Sequence, residues 1–318
     1  MREFHFLLLP RFSFMGFASA IEPLRVANRF RPGSYRWSIL SLDGGPVVAS
    51  NEMSLNVDGK FSGASFTDAA TDVLFVVAGF NPLDHVNAEL SAWLRQLDRQ
   101  GVALGAIDTG AFLLAEAGLL QNHKVTVHWE ALAAFKERYP KLAVSSELFE
   151  IAGKRLSCAG GTAGIDMTLA LIAKDHGREM TATISEQFVL GRIRSQSDQQ
   201  RLELTTRYGV HNASVIQGIR LMQSNLEEPL ASDELTDGVG LSRRQMERLF
   251  RTHMGTTPAH FYLRLRLERA HELIEQSDMS ILAIGVACGF KSASHLSRAY
   301  RAQFGVSPQS SRALVKRR

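Results

Sequence analysis

A chain of 318 residues with 45% hydrophobic content has room for about two globular domains with sizeable cores. No run approaches the ~18 apolar residues a membrane span needs, and Cys158 and Cys288, without CxxC or paired-His spacing, argue against a disulfide framework or a zinc site. The net charge of +4 is unevenly placed: from residue 201 onward Lys and Arg outnumber Asp and Glu 17 to 11, whereas the earlier residues carry 19 against 21. A basic C-terminal third suits a chain that meets a polyanion.

Residues 4–9 are too short for a signal-peptide core and no small-residue cleavage site follows them. They read as a first buried strand, and the protein is expected in the cytoplasm. Further short apolar or β-branched runs occupy 36–41, 73–77, 102–107 and 154–158, with helical stretches at 19–29, 88–99, 111–117, 129–138 and 164–176. This alternation predicts an α/β domain with a mainly parallel sheet, whose ligands bind at the carboxyl ends of the strands.

One junction stands out, Gly105-Ala106-Ile107-Asp108-Thr109-Gly110-Ala111-Phe112. A Gly just past a strand-to-helix turn lets the helix pack closely and leaves the apex residue exposed above the sheet, the geometry of a nucleophile elbow. Asp108 is also a suitable N-cap for the helix that follows, and the two roles are compatible.

From 195 to 212 the chain turns polar, with 201–208 able to form a helix. The expected division is a domain over 1–194, a linker over 195–213 and a second domain over 214–318. Within that second domain a single helical pattern is written twice. The first copy runs through Ser242-Arg243-Arg244-Gln245-Met246-Glu247-Arg248-Leu249-Phe250-Arg251 and closes at Pro258; the second runs through Lys291-Ser292-Ala293-Ser294-His295-Leu296-Ser297-Arg298-Ala299-Tyr300-Arg301 and closes at Pro308.

Each copy predicts a helix, a Gly-containing turn and a second helix in an all-α domain with two helix-turn-helix units. Met246, Leu249 and Phe250 make an apolar face, as do Leu296, Ala299 and Tyr300. Arg243, Arg244, Glu247, Arg248 and Arg251 then point outward in the first copy, and Ser294, His295, Ser297, Arg298 and Arg301 in the second. Ser242 and Ser292 are expected N-caps. Leu263, Leu267, Ala270 and Ile274 predict a long helix between the copies. Two such heads can enter successive major grooves of duplex DNA, about 34 Å apart.

The segment from about Ser214 to Arg318 resembles the AraC/XylS type of DNA-binding domain, on Arg266-Leu267-Glu268-Arg269-Ala270, Ile284-Gly285-Val286-Ala287-Cys288-Gly289-Phe290 and Phe304-Gly305-Val306-Ser307-Pro308. The resemblance implies that Arg244, Arg248, Ser294 and Arg298 reach base edges, and that Arg243, Arg251, Lys291 and Arg301 contact phosphates.

The first 190 residues resemble the ThiJ/PfpI branch of the class I glutamine amidotransferase-like fold. Ala20-Ile21-Glu22-Pro23-Leu24-Arg25, Val77-Ala78-Gly79-Phe80, the elbow, Thr126-Val127-His128-Trp129-Glu130 and the stretch from Cys158 to Met167 carry the match. Catalytic relatives hold a Cys at the elbow, with a Glu and a His matching Glu22 and His128. Here the apex is Asp108, which cannot serve as the soft nucleophile of that chemistry.

The combination resembles regulators of arginine, carnitine, glycine betaine, dimethylglycine and sarcosine metabolism, in which the enzyme-like domain is a sensor. It implies an activator that forms a homodimer through its α/β domain and contacts RNA polymerase; neither cofactor nor metal is expected. Glu22 and Asp108 together would make the crevice electronegative, and Trp129 would offer an aromatic face to an ammonium group, so a small cationic or zwitterionic amine is the expected effector. Trp129 as a core aromatic and His128 as a satisfied buried histidine are the plainer readings. Gly79 and Phe80, with Gly161 and Thr162, are expected to offer backbone N–H groups to a ligand carboxylate, and Thr109 sits beside the apex. The competing function is a bifunctional protein that retains hydrolysis, with Asp108 or Glu22 and His128 as acid and base.

Overall fold

Val, Leu and Phe runs buried on both faces form the centre of a seven-stranded sheet. In chain order the strands are β1 (Arg2–Leu8), β2 (Tyr35–Ser41), the hairpin β3 (Val47–Val48) and β4 (Ser54–Leu55), β5 (Gly59–Lys60), β6 (Val73–Val77), β7 (Ala103–Ile107), the small parallel pair β8 (Lys124–Val125) and β9 (Ala143–Val144), β10 (Phe149–Ala152) and β11 (Arg155–Cys158). The sheet order is β10-β11-β7-β6-β1-β2-β5, parallel throughout except where β10 meets β11. This is a computed structural model, and it describes residues 1–66, 68 and 72–315. The chain divides into two units, Met1–Gln200 and Arg201–Arg318.

Helices α1 (Phe14–Phe30), α2 (Ala88–Gln100), α3 (Ala111–Glu116), α4 (Leu132–Arg138), α5 (Ala163–His176) and α6 (Arg178–Gln187) complete the first unit. α1 begins five residues before its apolar pattern because Ser13 caps it, accepting a hydrogen bond from the Gly16 N–H at 3.2 Å. α1 and α5 lie almost in backbone contact: a Cβ on Gly164 would fall 2.2 Å from Ser19 Oγ and 2.9 Å from the Ala20 nitrogen. α4 starts three residues later than expected, since 129–131 form a turn in which the His128 carbonyl accepts from the Ala131 N–H.

The polar stretch predicted to open the linker is folded into the first unit up to Gln200. The Asp198 carbonyl accepts from the Leu148 N–H. Gln200 Nε2 donates to Thr126 Oγ1 at 2.8 Å and to the carbonyls of Val127 and Glu147 at 3.0 Å. A polar composition concealed this, because side-chain amides satisfy backbone carbonyls as well as water does.

The second unit is all helical: α7 (Leu204–Tyr208), α8 (Ala213–Ser224), α9 (Ser232–Val239), α10 (Arg243–Met254), α11 (Pro258–Gln276), α12 (Ile281–Ala287), α13 (Ala293–Phe304) and α14 (Pro308–Val315). The pairs α9–α10 and α12–α13 are the duplicated units, and α11 is the long connector. Leu267, Ala270 and Ile274 are buried on it. Among the described residues, no helix is long and apolar enough to cross a membrane.

Candidate functional site

Parallel neighbours deliver their carboxyl ends to one place. β1, β6, β7 and β11 lead respectively into Ser13, Gly79, Asp108 and Gly160. Asp108 holds φ +63, a left-handed conformation uncommon for a non-glycine residue and the mark of the elbow. Gly110 permits it: a Cβ there would lie 2.1 Å from the Val76 carbonyl oxygen. The Asp108 N–H donates to the Cys158 carbonyl at 3.0 Å. The apex is therefore fixed by its backbone, and its carboxylate lies against Gly160 with a hydrogen bond from Ser13.

Burial pushes the Asp108 carboxyl up to about 6, against the lowering pull of His128 and a hydrogen bond from the Ser13 hydroxyl, while Glu130 raises it further. Glu130 stands 3.7 Å from His128 Nδ1, and His128 lies beside the Trp129 ring at 5.6 Å between centroids. The strongest charges on Asp108 are thus those of His128 and Glu130. Glu22, expected as the second carboxylate, instead pairs with Arg25 one helical turn on, at 2.7 Å. A partner at i+3 on its own helix is closer to hand than a strand end.

The expected amide donors divide. The Phe80 N–H is already given to the Arg11 carbonyl at 3.3 Å, with the Arg11 guanidinium 4.9 Å above the Phe80 ring. Gly79 faces Phe12 across an isolated antiparallel bridge flanked by the Phe80–Arg11 and Ser13–Ala78 hydrogen bonds, an arrangement that leaves its own N–H unused by the bridge. The Thr109 hydroxyl donates to the Gly79 carbonyl at 2.6 Å and so locks the elbow to that loop. Thr162 Oγ1 accepts from Arg194 at 2.8 Å, and Arg194 forks onto buried Asp166. Gly161, at φ +54, has open space around its Cα.

Ser13, Gly160, Glu130 and Arg11 are site residues that motif reading passed over. Glu130 and Gly160 carried a signal, lying within the two motifs that include His128 and Gly161.

Neither cysteine supplies a thiolate. Burial holds the Cys158 and Cys288 thiols up at about 12, so both are neutral at physiological pH.

In the second unit the duplicated helices are capped alike. Ser242 Oγ accepts from the Gln245 N–H and Ser292 Oγ from the His295 N–H, and Gln245 returns a bond to the Ser242 N–H. Met246 and Phe250 anchor α10, and Leu296 and Tyr300 anchor α13. This leaves Arg243, Arg244, Arg248 and Arg251 exposed on one helix, and Ser294, His295, Arg298 and Arg301 on the other, with Lys291 exposed just before it. Arg266 braces the second turn from α11, donating to the carbonyls of Cys288 and Gly289 with its guanidinium 4.3 Å from the Phe290 ring centre.

The same two halves emerge from comparison with known proteins. Residues 12–174 match the DJ-1/PfpI family and residues 235–313 a helix-turn-helix domain. The HTH-type transcriptional regulator CdhR of Pseudomonas aeruginosa is 55% identical over 314 residues, covering 99% of this chain and 92% of that protein. The HTH-type transcriptional regulator GbdR of the same species is 43% identical over 308 residues, covering 96% and 83%. Among solved structures, an AraC family transcriptional regulator from Pseudomonas putida superposes with a TM-score of 0.53 at 28% identity, over 59% of this chain and all of that one. The chain belongs to the AraC-type helix-turn-helix transcriptional regulators that carry a DJ-1/PfpI domain.

Proposed function

We propose that the crevice over Asp108 senses a small zwitterionic amine and that its occupancy sets how the helix-turn-helix unit engages DNA. The observation that carries this reading is an elbow whose apex is a carboxylate, in a chain whose thiols are both neutral and buried. Such a crevice binds rather than attacks. Asp108 and Glu130 complement an ammonium group, and Trp129 adds an aromatic face. The Ser13-capped start of α1, the start of α5 beside Gly160, and the Gly79 and Gly161 amides suit a carboxylate. Each end of an amino-acid-like molecule has a counterpart, whereas a neutral or anionic metabolite offers no ammonium group to the two acids.

Transmission runs through the last residues of the first unit. Arg194 is bonded to Thr162, and Gln200 to the carbonyl of Val127, the residue before His128. A ligand that shifts His128 or Thr162 alters the hold on residues 194–200, from which the second unit is suspended. There Arg244, Arg248, Ser294 and Arg298 read bases, while Arg243, Arg251, Lys291, His295 and Arg301 steady the backbone. The resemblance adds a homodimer joined through the first unit and an activator's contact with RNA polymerase.

A thermal-shift panel tests the effector. Betaine-like and amino-acid zwitterions should stabilise the wild type and not Asp108→Asn; stabilisation by neutral or anionic compounds alone overturns the reading.

A further inference from the structure

The amino-terminal edge of the sheet, opposite the sensing crevice, holds a second cluster. Glu3 and His5 lie two residues apart on β1, so they project from the same face. β1 and β6 are parallel with Phe4 beside Val73, which sets Asp72 next to Glu3 on that face. One ligand atom from each of the three side chains lies within 4.8 Å of the others.

Two of these side chains are buried with an atom left over. His5 and Asp72 are each 1% exposed, and among the described residues His5 Nε2 and Asp72 Oδ1 have no hydrogen-bond partner. Their other atoms are engaged. His5 Nδ1 bonds Ser38 Oγ at 2.7 Å, and Asp72 Oδ2 accepts from the Asp68 N–H at 3.0 Å. The Phe66 ring covers the imidazole at 4.1 Å between centroids. Buried polar atoms without partners are rare enough to require an explanation. His5 Nε2 and Asp72 Oδ1 do not bond each other, so each is left open, and a cation held between them satisfies both.

We propose that Glu3, His5 and Asp72 bind one divalent transition-metal ion of the zinc class, with water completing the coordination. One imidazole with two carboxylates is a donor set such ions accept. The Ser38 bond to Nδ1 orients the ring as an outer-shell partner orients a ligating histidine. The ion ties β1 to the approach of β6. It stands apart from Asp108, which follows the carboxyl end of β7.

The test uses the full chain, stripped with EDTA, dialysed and titrated with zinc sulfate by calorimetry, with retained metal counted by elemental analysis. The wild type should hold one zinc per chain that His5→Gln and Asp72→Asn do not, and its unfolding temperature should rise on zinc addition. Ser38→Ala should bind roughly 10–100-fold more weakly, as outer-shell changes do. Glu3→Gln, at the partly exposed ligand, keeps the test open if a buried variant fails to fold by circular dichroism. Failure of the wild type to retain zinc, or equal affinity in wild type, His5→Gln and Glu3→Gln, overturns the proposal.

Discussion

Gly160 stands so close to Asp108 that a Cβ on it would lie 2.4 Å from a carboxylate oxygen of the aspartate. Gly160 also holds φ +79, where an L side chain is strained. Gly160→Ala should therefore destabilise the first unit by about 1–3 kcal/mol and displace the carboxylate. Urea unfolding should register the loss. Effector titration should show no saturable response, while the DNA affinity of folded protein stays near wild type.

Asp108 links stability to pH in a definite direction. Its carboxyl is raised from 3.8 to about 6 in the folded chain, so the folded state holds the proton more tightly than the unfolded one. Ionisation then costs stability, beginning as the pH rises past about 4 and complete above about 6. The shift corresponds to at most about 3 kcal/mol, and partial exposure of the group reduces it to about 1–2. Asp108→Asn should be more stable than wild type by that amount at pH 8 and equal to it below pH 4, as read from urea midpoints. Amine binding should weaken as the pH falls through 6, because the protonated acid no longer attracts a cation.

Base-reading and phosphate-holding roles separate by salt dependence. On a site selected from random duplexes, Arg248→Ala and Arg298→Ala should each cost about 1–3 kcal/mol and relax specificity. Arg251→Ala and Lys291→Ala should weaken all sequences alike and lower the slope of log affinity against log salt by about 1. Fluorescence anisotropy at several salt concentrations distinguishes the two patterns. Unchanged binding in both arginine variants would remove the assignment of base readers.

Arg266 braces the turn between α12 and α13 from the long connecting helix. Arg266→Ala removes two charge-assisted bonds and a cation–ring contact, and should destabilise the second unit by about 2–3 kcal/mol. Arg266→Lys should recover only a fraction of this, since an ammonium cannot span two carbonyls and lie flat on Phe290. Thermal unfolding followed by circular dichroism checks both.

Gln200→Ala should separate sensing from response. It removes the bonds to Thr126, Val127 and Glu147 while leaving Asp108 and Glu130 untouched. Calorimetric affinity for the effector should stay within about twofold, since no ligand-facing group is lost, whereas the ligand-induced change in DNA affinity should shrink.

Much of this molecule was legible as local pattern. The duplicated helices, their Ser242 and Ser292 caps, the strands at 73–77 and, to within a residue, 102–107, and the elbow at Asp108 all follow from periodicity or from spacing over a few residues. Helix and strand preferences act over that range, so the chain carries them openly. The antiparallel edge strand β10 and the helix α6 escaped notice. β10 is four residues long, and the polar 178–187 stretch carries little apolar pattern.

By itself the sequence determined two architectures in tandem, a pair of matched helices with exposed basic faces, and an acid where a catalytic thiol would stand. Tertiary structure alone decided that Glu22 closes on Arg25, that Phe80 gives its N–H to Arg11, and that Ser13, Gly160 and Glu130 converge on Asp108. It alone brought Asp72 beside Glu3 and His5. The reason is topological: a parallel sheet makes neighbours of strands far apart in the chain, and which side chains then meet depends on strand order and register rather than on any spacing along the sequence.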